Sequence, residues 1–239
     1  MICDKNSNYY IVWGQWDEKG AGDCVTLSVA KYNETGMYLG CCDVRTSTTN
    51  NDGETIAPFA GAGCDVDIVD GILYANFGRS MYNGHQSSTT ISVDIESMEL
   101  VGETACYVSH SFATRVFPLS SGEILYGNLG DAYPRGFTFK LERKKVIPFH
   151  FYGELGDNET YSQLGDIVEF GEKVFYCATS TKSMTKKCEN ESQNLFVQGI
   201  NFEFAKGTSR TGTCMGESYT DKGIIWLTNY KKDMLKIHR

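Results

Sequence analysis

The chain has 239 residues, 41% of them hydrophobic, and a formal net charge of −8. That length is ample for a buried core, and the acidic balance speaks against nucleic-acid and anionic-membrane partners. No window approaches the roughly 18 consecutive apolar residues of a membrane span, so no membrane insertion is expected.

Aromatic residues make up 13%, with 25 Gly and only 4 Pro. This mix suits many short strands joined by Gly turns. Nine cysteines are an odd number, so one at least is unpaired within the chain. They read mainly as buried strand thiols, with a Cys177–Cys188 bridge as an option because the two flank one expected turn. No C-x-x-C pair occurs and Cys41-Cys42 lack zinc spacing, so neither metal nor cofactor is expected. The N-terminus lacks a signal-peptide pattern. Asn-x-Ser/Thr patterns at Asn33, Asn158 and Asn190 lean toward an extracellular protein and leave the compartment open.

In chain order, the first apolar core is Ile11-Val12-Trp13, followed by strand candidates Val25–Val29 and Met37–Leu39. Next come Asp65–Val69, Ile72-Leu73-Tyr74, Thr90–Val93 and Glu99–Val101. A third group is Arg115–Leu119, Ile124-Leu125-Tyr126, Gly136–Lys140 and Lys145–Phe149. A fourth is Gly165–Phe170, Val174-Phe175-Tyr176, Asn194–Val197 and Ile200–Phe204. Cys214–Tyr219 and Ile224-Ile225-Trp226 open a fifth. No apolar stripe runs at helical spacing.

These groups repeat. GILYANFGRSMYNG from Gly71 aligns with EILYGNLGDAYPRG from Glu123: Ile72, Leu73, Tyr74, Asn76 and Gly78 match Ile124, Leu125, Tyr126, Asn128 and Gly130 at an offset of 52. The apolar-apolar-aromatic core starts at 11, 72, 124, 174 and 224, in steps of 61, 52, 50 and 50. About four short strands per unit, repeated at roughly 50 residues, resembles the β-propeller architecture. The resemblance implies an all-β chain of four-stranded antiparallel blades, with five repeats visible and the last one short. Residues 1–239 read as one propeller domain, or as a piece of a six- or seven-bladed ring.

With strands A to D counted outward, antiparallel alternation brings each D-to-A connection and B-to-C turn to one face. On that face lie Arg79, Tyr82 and His85 of the second repeat, then His110 and Arg115, then Asp131, Tyr133 and Arg135 of the third. The scaffold repeats while its tips differ, and tips carry function. Arg forks suit carboxylate, sulfate or phosphate groups. Tyr and His suit sugar stacking and proton transfer. Lys182, Lys186 and Lys187 add positive charge to the same rim.

The expectation is a binding propeller for a glycan or other anionic small molecule at the channel mouth. The lyase alternative makes His110 and Tyr133 catalytic: Arg neutralises a uronate carboxylate, and His or Tyr takes the C5 proton and protonates the leaving oxygen. A protein-interaction scaffold is the third reading. Asp65 and Asp67 alternate along an inner strand about 7 Å apart and read as channel wall or as paired carboxylates.

Overall fold

The structure is a computed structural model. It describes residues 1–15, 23–48, 56–59, 61, 63–80, 86–105, 111–130, 136–141, 144–149, 162–180, 193–202, 206–207 and 225–226.

Strands form where β-branched and aromatic residues alternate, and Gly or Asp breaks them. The first sheet runs β1 (Ile2–Cys3), β2 (Tyr9–Gly14), β3 (Val25–Tyr32), β4 (Tyr38–Arg45), in that order. In the second, β5 (Ala57–Pro58) and β6 (Cys64–Val69) share one edge of β7 (Ile72–Ser80), which pairs with β8 (Gln86–Asp94) and then β9 (Glu99–Ala105). The third is β10 (Ser111–Pro118), β11 (Ile124–Gly130), β12 (Gly136–Leu141) and β13 (Lys144–Phe149). The fourth holds β14 (Gln163–Phe170), β15 (Lys173–Ser180) and β16 (Asn194–Ile200). Near the C-terminus, β17 (Lys206–Gly207) joins the outer edge of β13, and β18 (Ile225–Trp226) joins that of β16.

Each sheet is an up-and-down antiparallel meander. The first strands pack in succession, β1 on β6, β6 on β10, β10 on β14. Successive four-stranded sheets with their first strands innermost make the chain a β-propeller. The strand candidates that fall on described residues agree with it, with two differences, and Cys214–Tyr219 lies outside those residues. Asn194–Val197 and Ile200 belong to one continuous strand rather than two. The fifth copy of the motif contributes its described residues, Ile225–Trp226, as the outer strand of the fourth sheet, opposite Val197 and Phe196. An apolar pair there covers an edge that would otherwise present unpaired backbone groups.

Apolar packing comes in two blocks. One joins the first two sheets through Tyr10, Leu27, Val29, Leu73, Phe77 and Ile91. The other joins the third and fourth through Leu125, Phe137, Phe139, Tyr176 and Phe196. Aromatic rings dominate the second block, with Phe139 and Tyr176 centroids 4.7 Å apart and Phe149 stacked on Phe196 at 4.9 Å. Between the second and third sheets the contact includes a buried hydrogen-bond network.

The cysteine expectation needs correction. Of the six described cysteines, all free, only Cys42 is buried. Cys177 is not bridged: its sulfur accepts the Asp166 N–H at 3.2 Å. Cys188 lies outside the described residues.

Candidate functional site

The site is built where strand ends converge. Pro58 pairs with Arg79, and the Phe59 N–H donates to Gly78 O at 2.9 Å. The connection from the first sheet into the second therefore lies beside the end of β7. Ser80 pairs with Gln86, and Gly130 pairs with both Gly136 and Ser111. These pairs hold the strand ends from which 81–85, 131–135 and 106–110 spring. The loop-bearing end is thus one end of the sheets, as antiparallel alternation requires.

Of the expected site residues, Tyr82, His85, His110, Asp131, Tyr133 and Arg135 lie outside the described residues, as do Lys182, Lys186 and Lys187. Arg79, next to last in β7, has no exposed surface and lies on the face shared with Phe77, which packs toward the first sheet. Arg115 is half-buried on β10. Its Nη1 donates to Thr114 O at 2.7 Å and its Nη2 to Leu164 O at 3.1 Å, a tie from the third sheet to the fourth. Asp65 also spans blades: its Oδ2 accepts the Val116 N–H at 2.9 Å. It caps the inner edge of β10, which sequence spacing could not reveal.

A cleft of about 250 Å³ opens at the loop-bearing end between the first two sheets. Val12, Leu27 and Phe77 make it apolar, Pro58 and Phe59 wall it, and Gln15 with the backbone of Gly14, Gly63 and Gly78 supplies polar groups. Gly14 is required there, because a Cβ would stand 2.7 Å from Pro58 Cβ. Solvent reaches part of Cys64. Crowding around its sulfur and the Asp65 carboxylate nonetheless push the thiol up to about 11, so it lines the cleft uncharged.

The second–third sheet seam is a network. Asn76 Nδ2 donates to Arg115 O (3.1 Å), Gly127 O (3.2 Å) and Asn128 Oδ1 (3.3 Å). Thr114 Oγ1 donates to Asn76 O at 2.9 Å. The motif's repeated Asn residues therefore meet face to face. Around them Asn76 Oδ1, Ser88 Oγ and Thr138 Oγ1 are buried without a protein partner. An orphaned buried group costs about 1–3 kcal/mol, against a whole-domain stability of about 5–15 kcal/mol.

A larger cleft of about 640 Å³ lies at the opposite end, among Asp4, Lys5, Lys31, Asp67, Asp94 and Glu96. Its groups are largely committed to the fold. Asp4 accepts from Asn6 N, Asn8 N, Asn8 Nδ2 and Tyr10 Oη. Asp94 Oδ1 accepts from Glu96 N and Ser97 N. Lys31 Nζ donates to Ile95 O at 2.7 Å over the Tyr10 ring. Among the described residues no group of three or more His, Cys, Asp or Glu gathers as a metal site.

No family model matches the sequence, and no curated protein sequence does. Among solved structures the chain is similar to Bacteroides ovatus Xyloglucan PUL GH43B (8% identity, TM-score 0.42), spanning 86% of this chain and 39% of that one. It is similar to Cellvibrio cellulosa alpha-L-arabinanase (10%, TM-score 0.41), over 86% of this chain and 72% of that one. A GH43 endo-arabinanase from Bacillus licheniformis (11%, TM-score 0.42) is covered over 79% of its length by 97% of this chain. Likenesses of this size carry no activity over to this chain.

Proposed function

We propose that this propeller binds a glycan at its loop-bearing end. The observation that carries the reading is the cleft beside Phe59: apolar walls, an amide, exposed backbone and three glycines in about 250 Å³. Drug-sized pockets run to roughly 300–1,000 Å³, so this one suits a single ring. A sugar ring offers a C–H face to an aromatic wall and hydroxyls to amide and backbone groups. The cleft lining carries no charged side chain. That favours a neutral sugar here, with any acidic group read by Arg135 and its neighbours. Tyr82, His85, Asp131 and Tyr133 belong to the same proposal, since their segments spring from strand ends at this face.

The test is a thermal-shift screen of neutral and uronate oligosaccharides at low and moderate salt. A ligand at about 100 times its Kd stabilises by about 2.7 kcal/mol, which for a chain of this size raises Tm by about 5–10 °C. A shift with neutral sugars that survives salt is expected. No shift with any sugar, from folded protein, overturns the reading.

A second reading, a protein-interaction scaffold, draws on apolar surface left open on the outermost sheets. Ile11 and Trp13 are each 39% exposed on the first, and Val168 (55%) and Phe170 (80%) on the fourth. Partner capture that Phe170→Ser and Ile11→Ser abolish, without any sugar shift, would replace the first reading with this one.

A further inference from the structure

The repeated I-L-Y-x-N-x-G motif has a role that propeller geometry alone does not call for. Directly paired residues of neighbouring strands share a face. Thr90 pairs with Asn76, and Gly78 with Ser88. Asn128 pairs with Thr138, and Gly130 with Gly136. The Asn76–Asn128 contact sets these two rows against each other. Asn76, Ser88, Asn128 and Thr138 are all 1% exposed or less.

Three of the buried unpartnered atoms, Asn76 Oδ1, Ser88 Oγ and Thr138 Oγ1, fall on these rows. Thr138 is the direct cross-strand neighbour of Asn128, and Ser88 is diagonal to Asn76. The Asn76 amide cannot be turned round to satisfy its oxygen, because its nitrogen sits against the carbonyls of Arg115 and Gly127. Toward the loop-bearing end the positions next to Asn76, Asn128 and Thr138 on this face are Gly78, Gly130 and Gly136, which carry no side chain, while Ser80 and Gln86 follow Gly78 and Ser88 on the second sheet. Buried polar groups need a partner, supplied by ordered water or a ligand where the protein gives none. Here the unanswered atoms are one acceptor and two hydroxyls, with no charge among them.

We propose that this seam is a hydroxyl-binding niche that takes a hydroxyl group of a neutral sugar entering from the loop-bearing end. It rests on the glycan reading above and adds a subsite to it, one sheet over from the Phe59 cleft. Asn76 Oδ1 accepts from the ligand hydroxyl, and Ser88 and Thr138 donate to or accept from it. The matched Asn and Gly of the two repeats are then one binding element made of two facing halves.

The experiment uses the full chain with neutral hexoses and pentoses as probes. Affinities are measured for wild type, Thr138→Val and Ser88→Ala, and the best-binding sugar is then crystallised with wild type. Each variant removes an orphaned hydroxyl, so the unliganded Tm should hold or rise. The sugar's Kd should weaken about tenfold (1.4 kcal/mol) in at least one variant. The complex should show a sugar hydroxyl at Asn76 Oδ1. Should Thr138→Val fail to fold, Ser88→Ala and the complex still decide. Sugar bound elsewhere, with unchanged affinity in the variants and only water in the seam, overturns the niche and leaves the glycan reading standing. Failure of every probe to bind wild type overturns the niche, and the glycan reading falls if the oligosaccharide screen is also blank.

Discussion

Two glycines show how one methyl group divides by context. Gly165 lies in the irregular stretch of β14, where the register shifts between Leu164 and Ile167. A Cβ there would stand 2.7 Å from Cys177 Sγ and 2.8 Å from Cys177 O, and the backbone oxygen cannot yield. Gly102 on β9 has only Ser92 atoms at 3.7 Å, an ordinary contact. Gly165→Ala should therefore cost about 1–3 kcal/mol. Gly102→Ala should be neutral or stabilising by up to about 1 kcal/mol. Urea melts of the two variants check the contrast, and equal effects would refute it.

Asp67 gives a pH prediction at the same scale. Desolvation chiefly, and the Asp65 charge beside it, raise its carboxyl above the usual value, opposed by the Ile68 N–H. The folded state thus holds this proton more tightly than the unfolded chain. Its contribution favours folding at low pH and is lost as pH rises through the folded value. Asp67→Asn should raise Tm at pH 7 by no more than about 2 °C and leave it unchanged near pH 3. A larger gain at pH 3 than at pH 7 would reverse the sign.

At the scale of elements, the fourth sheet has two unlike faces. Val174, Tyr176, Ala178 and Phe196 pack on the third sheet, while Val168 and Phe170 point to solvent. Phe196→Ala should cost about 3–5 kcal/mol, and Phe170→Ser less than about 0.5 kcal/mol. Similar losses in guanidinium melts would mean that the open face is covered in solution. Inner hairpins were the most legible elements. Asp70-Gly71 joins β6 to β7 with φ of 48° and 81°, a two-residue turn that Asp-Gly between apolar runs announces. The outer strand at Ile225–Trp226 was the least legible. Its apolar-aromatic core reads like an inner strand, and only pairing with β16 assigns it.

For the molecule as a whole, two apolar blocks meet across a seam that holds a buried hydrogen-bond network. Hydrogen bonds across the seam contribute less each than the aromatic packing on either side. Hydrogen exchange under rising denaturant should show the third and fourth sheets protected as one unit and the first two as another. A single exchange isotherm for all four sheets would refute two units. The lengths of the inner turns follow a different grouping, alternating from sheet to sheet. The first and third sheets turn over five residues, with Cys3 opposite Tyr9 and Pro118 opposite Ile124. The second and fourth turn over two, with Val69 opposite Ile72 and Phe170 opposite Lys173.

The sequence by itself determined most of the longer strands, that they repeat, and which strand ends share the loop-bearing face. Those follow from local rules: side chains alternate with period 2, and antiparallel strands alternate in direction. Tertiary structure alone decided which way each face looks. Asn76 and Asn128 match in the repeat, yet they oppose one another, and Arg115 and Asp65 spend their polar groups on neighbouring sheets. Facing depends on how whole sheets stack, and stacking joins residues about 50 positions apart that no local pattern relates.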